Sequence, residues 1–310
     1  MTRFPHDQFA KDYLKELLAP LGKVETSRDV SGELREIDVW FAPYSSEPTG
    51  DAQVLGLLGR FASSSSIFEP FRNAVTPSLI RSCMSKLFDV HAELERQAKR
   101  EKTSVQEADL PRLWILSPTA SVALLNGFRA ILDEDNWIPG VYFLGAYLRT
   151  AIVAIHQLPR IEETLWLRIL GKGIQEQAID ELTALAEDNP FRANALEMLY
   201  NLRVNLEAKE NLDEEDRELI MRLSPLYLQR LEDARREGEQ QGMQQGMQQG
   251  MRTERRATIE NLLRVRFGSL DDKLESVIEP LLELPPEEFT LLLLQLSREE
   301  LLARFGELTS

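Results

Sequence analysis

Between Gly238 and Met251 the chain repeats with a period of four: Gly238, Gly242, Gly246 and Gly250 are separated by Glu-Gln-Gln or Met-Gln-Gln, and Ala234 stands four residues earlier. On an α-helix, positions i and i+4 lie nearly above one another. Ala234 and the four glycines would therefore form one stripe of small residues, along which a second helix can approach closely. Each glycine costs a helix roughly 1 kcal/mol relative to alanine, so such a row calls for a packing partner. The tract predicts a helical spacer that self-associates through residues 234–250, giving a homo-oligomer. The alternative is a flexible Gly/Gln linker. A transmembrane small-xxx-small seam is excluded by the Gln and Glu residues between the glycines. On either side lie a mixed N-terminal body and a short, leucine-rich C-terminal module.

A chain of 310 residues suits one large or two ordinary domains. Its hydrophobic fraction of 43% is globular rather than disordered. The densest apolar run, Phe289 to Leu296, is far short of the ~20 residues of a membrane span, and reads instead as a buried helical face. No membrane partner is expected. The opening residues contain no apolar signal-peptide core. The single cysteine, Cys83, excludes an internal disulfide framework and suits a reducing cytosol, so a cytoplasmic location is the expectation. Cys83 itself reads as a small buried hydrophobe. A net charge of −15 argues against coating nucleic acid through the overall field. The N-terminal part is nearer neutral and carries Arg96, Lys99, Arg100 and Lys102. Local contact with DNA stays open, whereas strong non-specific binding without metal does not.

Apolar spacing predicts a helix over His6–Leu18, ended by Pro20 and Gly22. Strands follow at Val24–Val30 and Leu34–Phe41, with a turn at Gly32 and a polar loop from Pro43 to Asp51. Leu55–Phe61 reads as a short helix, and Ile67–Phe71 as an irregular strand because of Pro70. Pro77 opens a helix running to Lys102. Arg112–Leu116, Val141–Leu144 and Thr150–Ile155 are strands, and Glu163–Leu170, Gln175–Glu187, Phe191–Lys209 and Glu214–Leu223 are helices. Pro225 interrupts this region, and a long helix then runs from Leu226 to Arg264. Helical pieces punctuated by Gly268, Pro280 and Pro285-Pro286 complete the chain. A helix, three strands, a helix and a strand over residues 6–116 imply a mixed α/β layer fold.

That order, together with Glu36-Ile-Asp38-Val-Trp-Phe41, Phe68-Glu69-Pro-Phe-Arg72, Leu113-Trp-Ile-Leu-Ser-Pro-Thr119, Leu165-Trp-Leu-Arg-Ile-Leu-Gly171 and Ile259-Glu-Asn-Leu-Leu-Arg-Val-Arg-Phe-Gly268, resembles the PD-(D/E)XK nuclease-like superfamily. More closely, the chain resembles the cyanobacterial proteins that carry a DUF4351 domain at the C-terminus, similar to the Rpn-type, transposase-associated branch. Leu293-Leu-Gln-Leu-Ser297 and Glu300-Leu-Leu302 carry the C-terminal part of the likeness. The resemblance implies an α/β (α+β) restriction-endonuclease-like core with a mixed sheet over residues 1–200. A helical region with the glycine-row spacer would follow over 201–257, and a small α-helical DUF4351-like domain over 258–310. It further implies a Mg²⁺-dependent DNA endonuclease, associated with mobile elements or recombination.

In that superfamily an Asp on the second strand and the acid of an acid-x-Lys motif on the third hold the metal, and the Lys stabilises charge. Asp38 matches the first. A lone Asp flanked by Ile37 and Val39 is costly in an apolar strand unless it is coordinated, paired or on a polar face, and the face alternation leaves that last reading open. Glu69 matches the second acid. The motif's lysine would stand at position 71, where the chain has Phe71. Arg72 and Lys86, the latter on the following helix, are the substitutes. The alternative is a structural Glu69–Arg72 ion pair with Lys86 as a solvated helix charge. Glu16 is a further acid, more readily a surface charge. A catalytically inactive interaction protein, self-associating through the glycine row, is the competing function. The row also resembles the Ala-x-x-x-Gly repeats of flagellar assembly protein H, although the α/β body has no counterpart there.

Other motifs are weak. His6, His91 and His156 are far apart and offer no zinc spacing, and His156 reads as a satisfied core histidine. Gly171-Lys-Gly173 lacks the P-loop pattern, and Ser117 and Ser121 lack a nucleophile elbow. Trp114, Trp137 and Trp166 read as core residues, and Trp40 as core or surface.

Overall fold

The computed structural model describes residues 5–29, 36–45, 49–172, 175–209 and 212–305. The turn expected at Gly32 and the strand residues Val30 and Leu34 lie outside the described residues. The chain divides into two compact units, Met1–Tyr227 and Leu228–Ser310.

In the first unit, helix α1 (Pro5–Leu18) buries Phe9, Ala10, Tyr13, Leu14, Leu17 and Leu18, the face set by its helical apolar spacing. Strands β1 (Gly22–Asp29) and β2 (Glu36–Pro43) pair antiparallel. A Cβ at Gly22 would fall 2.2 Å from the Ala42 carbonyl oxygen, so this close approach requires glycine. Two short helices, α2 (Gly50–Val54) and α3 (Leu57–Phe61), lead to β3 (Ser66–Pro70). Helix α4 (Pro77–Glu101) then crosses to β4 (Arg112–Ser117). Its start is fixed by the Thr76 hydroxyl, which accepts from the Leu79 N–H, and by Pro77 in the first turn. Helix α5 (Val122–Gly127) precedes β5 (Ile131–Leu132), β6 (Val141–Phe143) and β7 (Thr150–Ala154).

Among the described residues these strands form one seven-stranded sheet, in the order β1-β2-β3-β4-β7-β6-β5. Its centre, β3-β4-β7, is parallel, and the remaining pairs are antiparallel. The sheet is therefore mixed, and the helix, three strands, helix, strand order expected for residues 6–116 is present, with α3 at the short helix expected over Leu55–Phe61 and α2 added. Alternate strand residues feed two apolar clusters. Phe68, Trp114, Leu116, Ala151 and Val153 pack with α1, α6 (Leu165–Arg168), α7 (Gln175–Ala184) and α8 (Arg192–Glu207). Ile67, Leu113, Ile115, Ile152 and Ala154 pack with the Ile80, Cys83 and Leu87 face of α4. Helices thus cover both faces, as central parallel strands require. Trp40, Trp114 and Trp166 are buried, and Trp137 packs half-buried on the core.

The strand expected at Ile67–Phe71 is present as β3, but it is a regular, fully buried central strand rather than an irregular one. The β2 ladder covers only Ser66 to Phe68, so the missing N–H of Pro70 falls beyond it and costs no bond there. Pro225 also fails to interrupt the helix. Helix α9 runs through it from Glu214 to Phe267, 54 residues, losing one backbone bond at the proline. Residues 202–223 supply Leu202, Leu206, Leu219 and Leu223 to the first unit's core. His156 is exposed rather than buried, its Nε2 bonded to the Lys172 carbonyl.

In the second unit, the glycine row is helical rather than a loose linker. Gly268, at φ +87°, closes α9 in the left-handed conformation that suits glycine. Four helices follow: α10 (Asp272–Glu275), α11 (Ile278–Leu282), α12 (Pro286–Gln295) and α13 (Arg298–Phe305). Ile259, Leu263, Leu274, Val277, Ile278, Leu281, Phe289, Leu293 and Leu301 form their common core. Of the dense run beginning at Phe289, Phe289 and Leu293 are buried, whereas Leu291 and Leu294 are exposed. No described helix is long and apolar enough to cross a membrane.

Candidate functional site

The antiparallel register of β2 and β3, Val39↔Phe68 and Trp40↔Ile67, sets Asp38 beside Glu69 one step past the last paired residues. The Asp38 N–H lies 3.4 Å from Glu69 Oε1. Glu69 is only 1% exposed. A carboxylate this deep needs compensation, and α4 provides it. Lys86 Nζ donates to Oε1 at 2.9 Å and to Oε2 at 2.8 Å, and Cys83 Sγ stands 3.7 Å from Oε2. Burial, reinforced by the Asp38 charge, pushes the Glu69 carboxyl up to about 7 against the pull of Lys86. For Lys86 burial works downward, but Glu69 outweighs it and the ammonium is held above its ordinary value.

Asp38 is half-buried, and its carboxylate is engaged from α1. Lys11 of α1 donates to Asp38 Oδ1 at 2.8 Å and lies 3.2 Å from Asp7 Oδ2 on its own helix. Burial lowers the Lys11 pKa, and the two acids together more than reverse this. The structure therefore brings together Asp38, Glu69 and Lys86, and adds Lys11. Sequence reasoning missed Lys11, because the only local signal was an Asp-x-x-x-Lys pair common on solvated helix faces.

Arg72 is not part of this group, and the pairing of Arg72 with Glu69 weighed from the sequence does not form. Its guanidinium turns to Asp216 Oδ1 at 2.5 Å and Asp213 Oδ2 at 3.4 Å. Asp216, in the first turn of α9, is fully buried and also receives His6 Nε2 at 2.7 Å and Lys209 Nζ at 3.2 Å. Burial, then the Arg72 charge, lowers the His6 pKa to about 4. Glu16 is exposed and accepts from the Asn194 side chain, as a surface charge does. A cleft of about 440 Å³ joins the two charge groups: Asp38 stands on its wall with His6, Arg72, Lys172 and Lys209, over an apolar floor that includes Phe9, Leu116 and Ile155.

The donor chemistry suits a hard divalent cation. Mg²⁺ is commonly held by one or two carboxylates, with water completing its shell, and Asp38 and Glu69 are neighbouring acids, of which Asp38 lines the cleft and Glu69 is buried. Among the described residues no group of three or more His, Cys, Asp or Glu gathers into a ligand set, so a cation here would rest on these two acids. No family model, curated protein or solved structure matches the chain.

Proposed function

We propose that the first unit is a divergent PD-(D/E)XK-type domain, with a restriction-endonuclease-like core, that hydrolyses DNA phosphodiesters with Mg²⁺. The observation that carries this reading is the meeting of Asp38 and Glu69, from adjacent antiparallel strands, with Lys86 of the crossover helix. The absent lysine at position 71 is then replaced from α4. Asp38 and Glu69 hold the cation. Bound there, Mg²⁺ supplies a polarised phosphate and an acidified water. Lys86 keeps Glu69 oriented and favours its ionised, ligating form. Arg72, Lys172 and Lys209 line the cleft where the strand backbone runs, each already paired with an acid. As part of the same proposal, the C-terminal helices are a DUF4351-like domain and the protein is of mobile-element origin.

Incubation of purified protein with supercoiled plasmid and Mg²⁺ or Mn²⁺ tests the reading. Nicking by the wild type that Asp38→Ala and Glu69→Ala both abolish is expected. An inactive wild type that also binds no metal in calorimetry sinks it.

A second reading is an inactive scaffold that self-associates through α9. One observation favours it: a Cβ at Gly238, Gly242, Gly246 or Gly250 meets nothing within 4 Å, while Met243, Met247 and Met251 beside them are exposed. A second copy of the row is the partner that fits. Sedimentation of the wild type against Gly242→Glu/Gly246→Glu decides it: a dimer that survives the substitution is not built on this face.

A further inference from the structure

We infer that Lys11 is a displaceable counter-cation of the metal site, so that metal enters only as Lys11 passes from Asp38 to Asp7. The inference rests on the reading of Asp38 and Glu69 as metal ligands and adds the step that controls their loading. Lys11 Nζ lies 2.8 Å from Asp38 Oδ1. It therefore takes a lone pair on the more accessible of the two acids and puts a positive charge where a dication must come. The side chain of Lys11 is 11% exposed, so water weakens this pair less than it would a surface one.

Asp7 makes the exchange feasible. It sits one helical turn before Lys11, its Oδ2 is already 3.2 Å from the ammonium, and its side chain is 46% exposed. Lys11 can release Asp38 and remain paired, without leaving an unpartnered charge half-buried. Both acids belong to the wall of the same cleft, and the ammonium is within reach of each. The two lysines of the site then differ in kind. Lys86 bridges both oxygens of Glu69 from the α4 side and stays in place, whereas Lys11 holds a single oxygen of Asp38 and has a second acceptor within reach.

Titration of the full-length protein with Mn²⁺ by calorimetry, with the free ion followed by electron paramagnetic resonance, tests this without any substrate. Lys11→Met keeps the length of the side chain and removes its charge. It is expected to tighten Mn²⁺ binding by roughly five- to tenfold, the loss of one partly screened ion-pair competitor. Asp7→Asn removes the second acceptor and is expected to weaken binding about two- to threefold. Lys11→Arg keeps the charge and is expected to stay near the wild type. Asp38→Asn abolishes the site in every background. Equal or weaker binding by Lys11→Met, with wild-type binding still dependent on Asp38, overturns the role of Lys11 and leaves the metal site standing. If Lys11→Met does not fold, Asp7→Asn decides: an unchanged affinity overturns the exchange. Absence of Mn²⁺ binding in both the wild type and Lys11→Met overturns the metal site and the inference together. Binding by Lys11→Met alone supports the inference in its strongest form, a site held shut by its own lysine.

Discussion

Glu69 and Asp216 are both buried acids in the same unit, and they are treated in opposite ways. Asp216 is shared by His6, Arg72 and Lys209, which arrive from α1, the end of β3 and the segment before α9. Glu69 has one lysine and sits beside a second carboxylate, and its carboxyl is pushed up to about 7. Two cations and an imidazole around one acid tie chain segments together. A shortage around another leaves a group that gives up its proton near neutrality and gains from added positive charge. The first arrangement is a clamp, and the second suits chemistry.

Substitution should separate them. Asp216→Asn is expected to cost about 3–5 kcal/mol in chemical denaturation, because it strands two partly buried cations, Arg72 and Lys209, and weakens the hydrogen bond to His6. A loss no larger than that of a surface residue would remove the distinction. The next effect is in pH. The His6 imidazole takes up a proton near 6.5 when unfolded but only near 4 when folded. As the pH falls from 6.5 to 4 the unfolded chain therefore binds the proton first, and stability drops by up to about 3 kcal/mol from this group. Glu69 acts with the opposite sign. Its folded carboxyl ionises near 7 against 4.5 for a free one, so its contribution is full below pH 4.5 and is lost as the pH rises through about 7. His6→Gln should flatten the acid limb of the stability–pH curve and Glu69→Gln the neutral limb. If either variant changes the wrong limb, the pairing assigned to it is incorrect.

Smaller effects sharpen the contrast. Glu69→Gln keeps an oxygen for Lys86 and is expected to cost only about 1–2 kcal/mol near neutral pH, while removing Mn²⁺ binding. In the wild type, Mn²⁺ affinity should climb between pH 6 and pH 8 as Glu69 loses its proton, and a flat calorimetric profile would place the ligand elsewhere. The smallest change is Tyr13→Phe. The Tyr13 hydroxyl is buried without a hydrogen-bond partner among the described residues, so its removal should raise stability by about 1 kcal/mol, provided the melting curve stays cooperative.

How much of this was legible in the sequence depended on how local the cause was. Helix α1 announced itself through apolar spacing and α4 through Pro77 in its first turn. Asp38 stood out as a lone acid in an apolar strand and Glu69 only through the motif it resembles, whereas the pairing of their strands, one of them buried throughout, was not legible. Lys11 and Asp216 did not stand out. Each sits among other charged residues of a helix, and only tertiary packing selects the one that is buried. Pro70 and Pro225 misled for a related reason. A proline reports a missing donor, but not whether the donor was needed, and at Pro70 the β2 ladder had already ended.

One neighbour of Glu69 has an experimental use. Cys83 is the chain's single thiol, and burial, then the charge of Glu69, raises its pKa well above the ordinary thiol range. A thiol held protonated reacts slowly with alkylating agents. Labelling at neutral pH should therefore wait for α4 to open away from β3, and its rate becomes a clock for that opening. Any ligand that strengthens the seam between these two elements should slow the clock, a mass-spectrometric readout that needs neither substrate nor turnover.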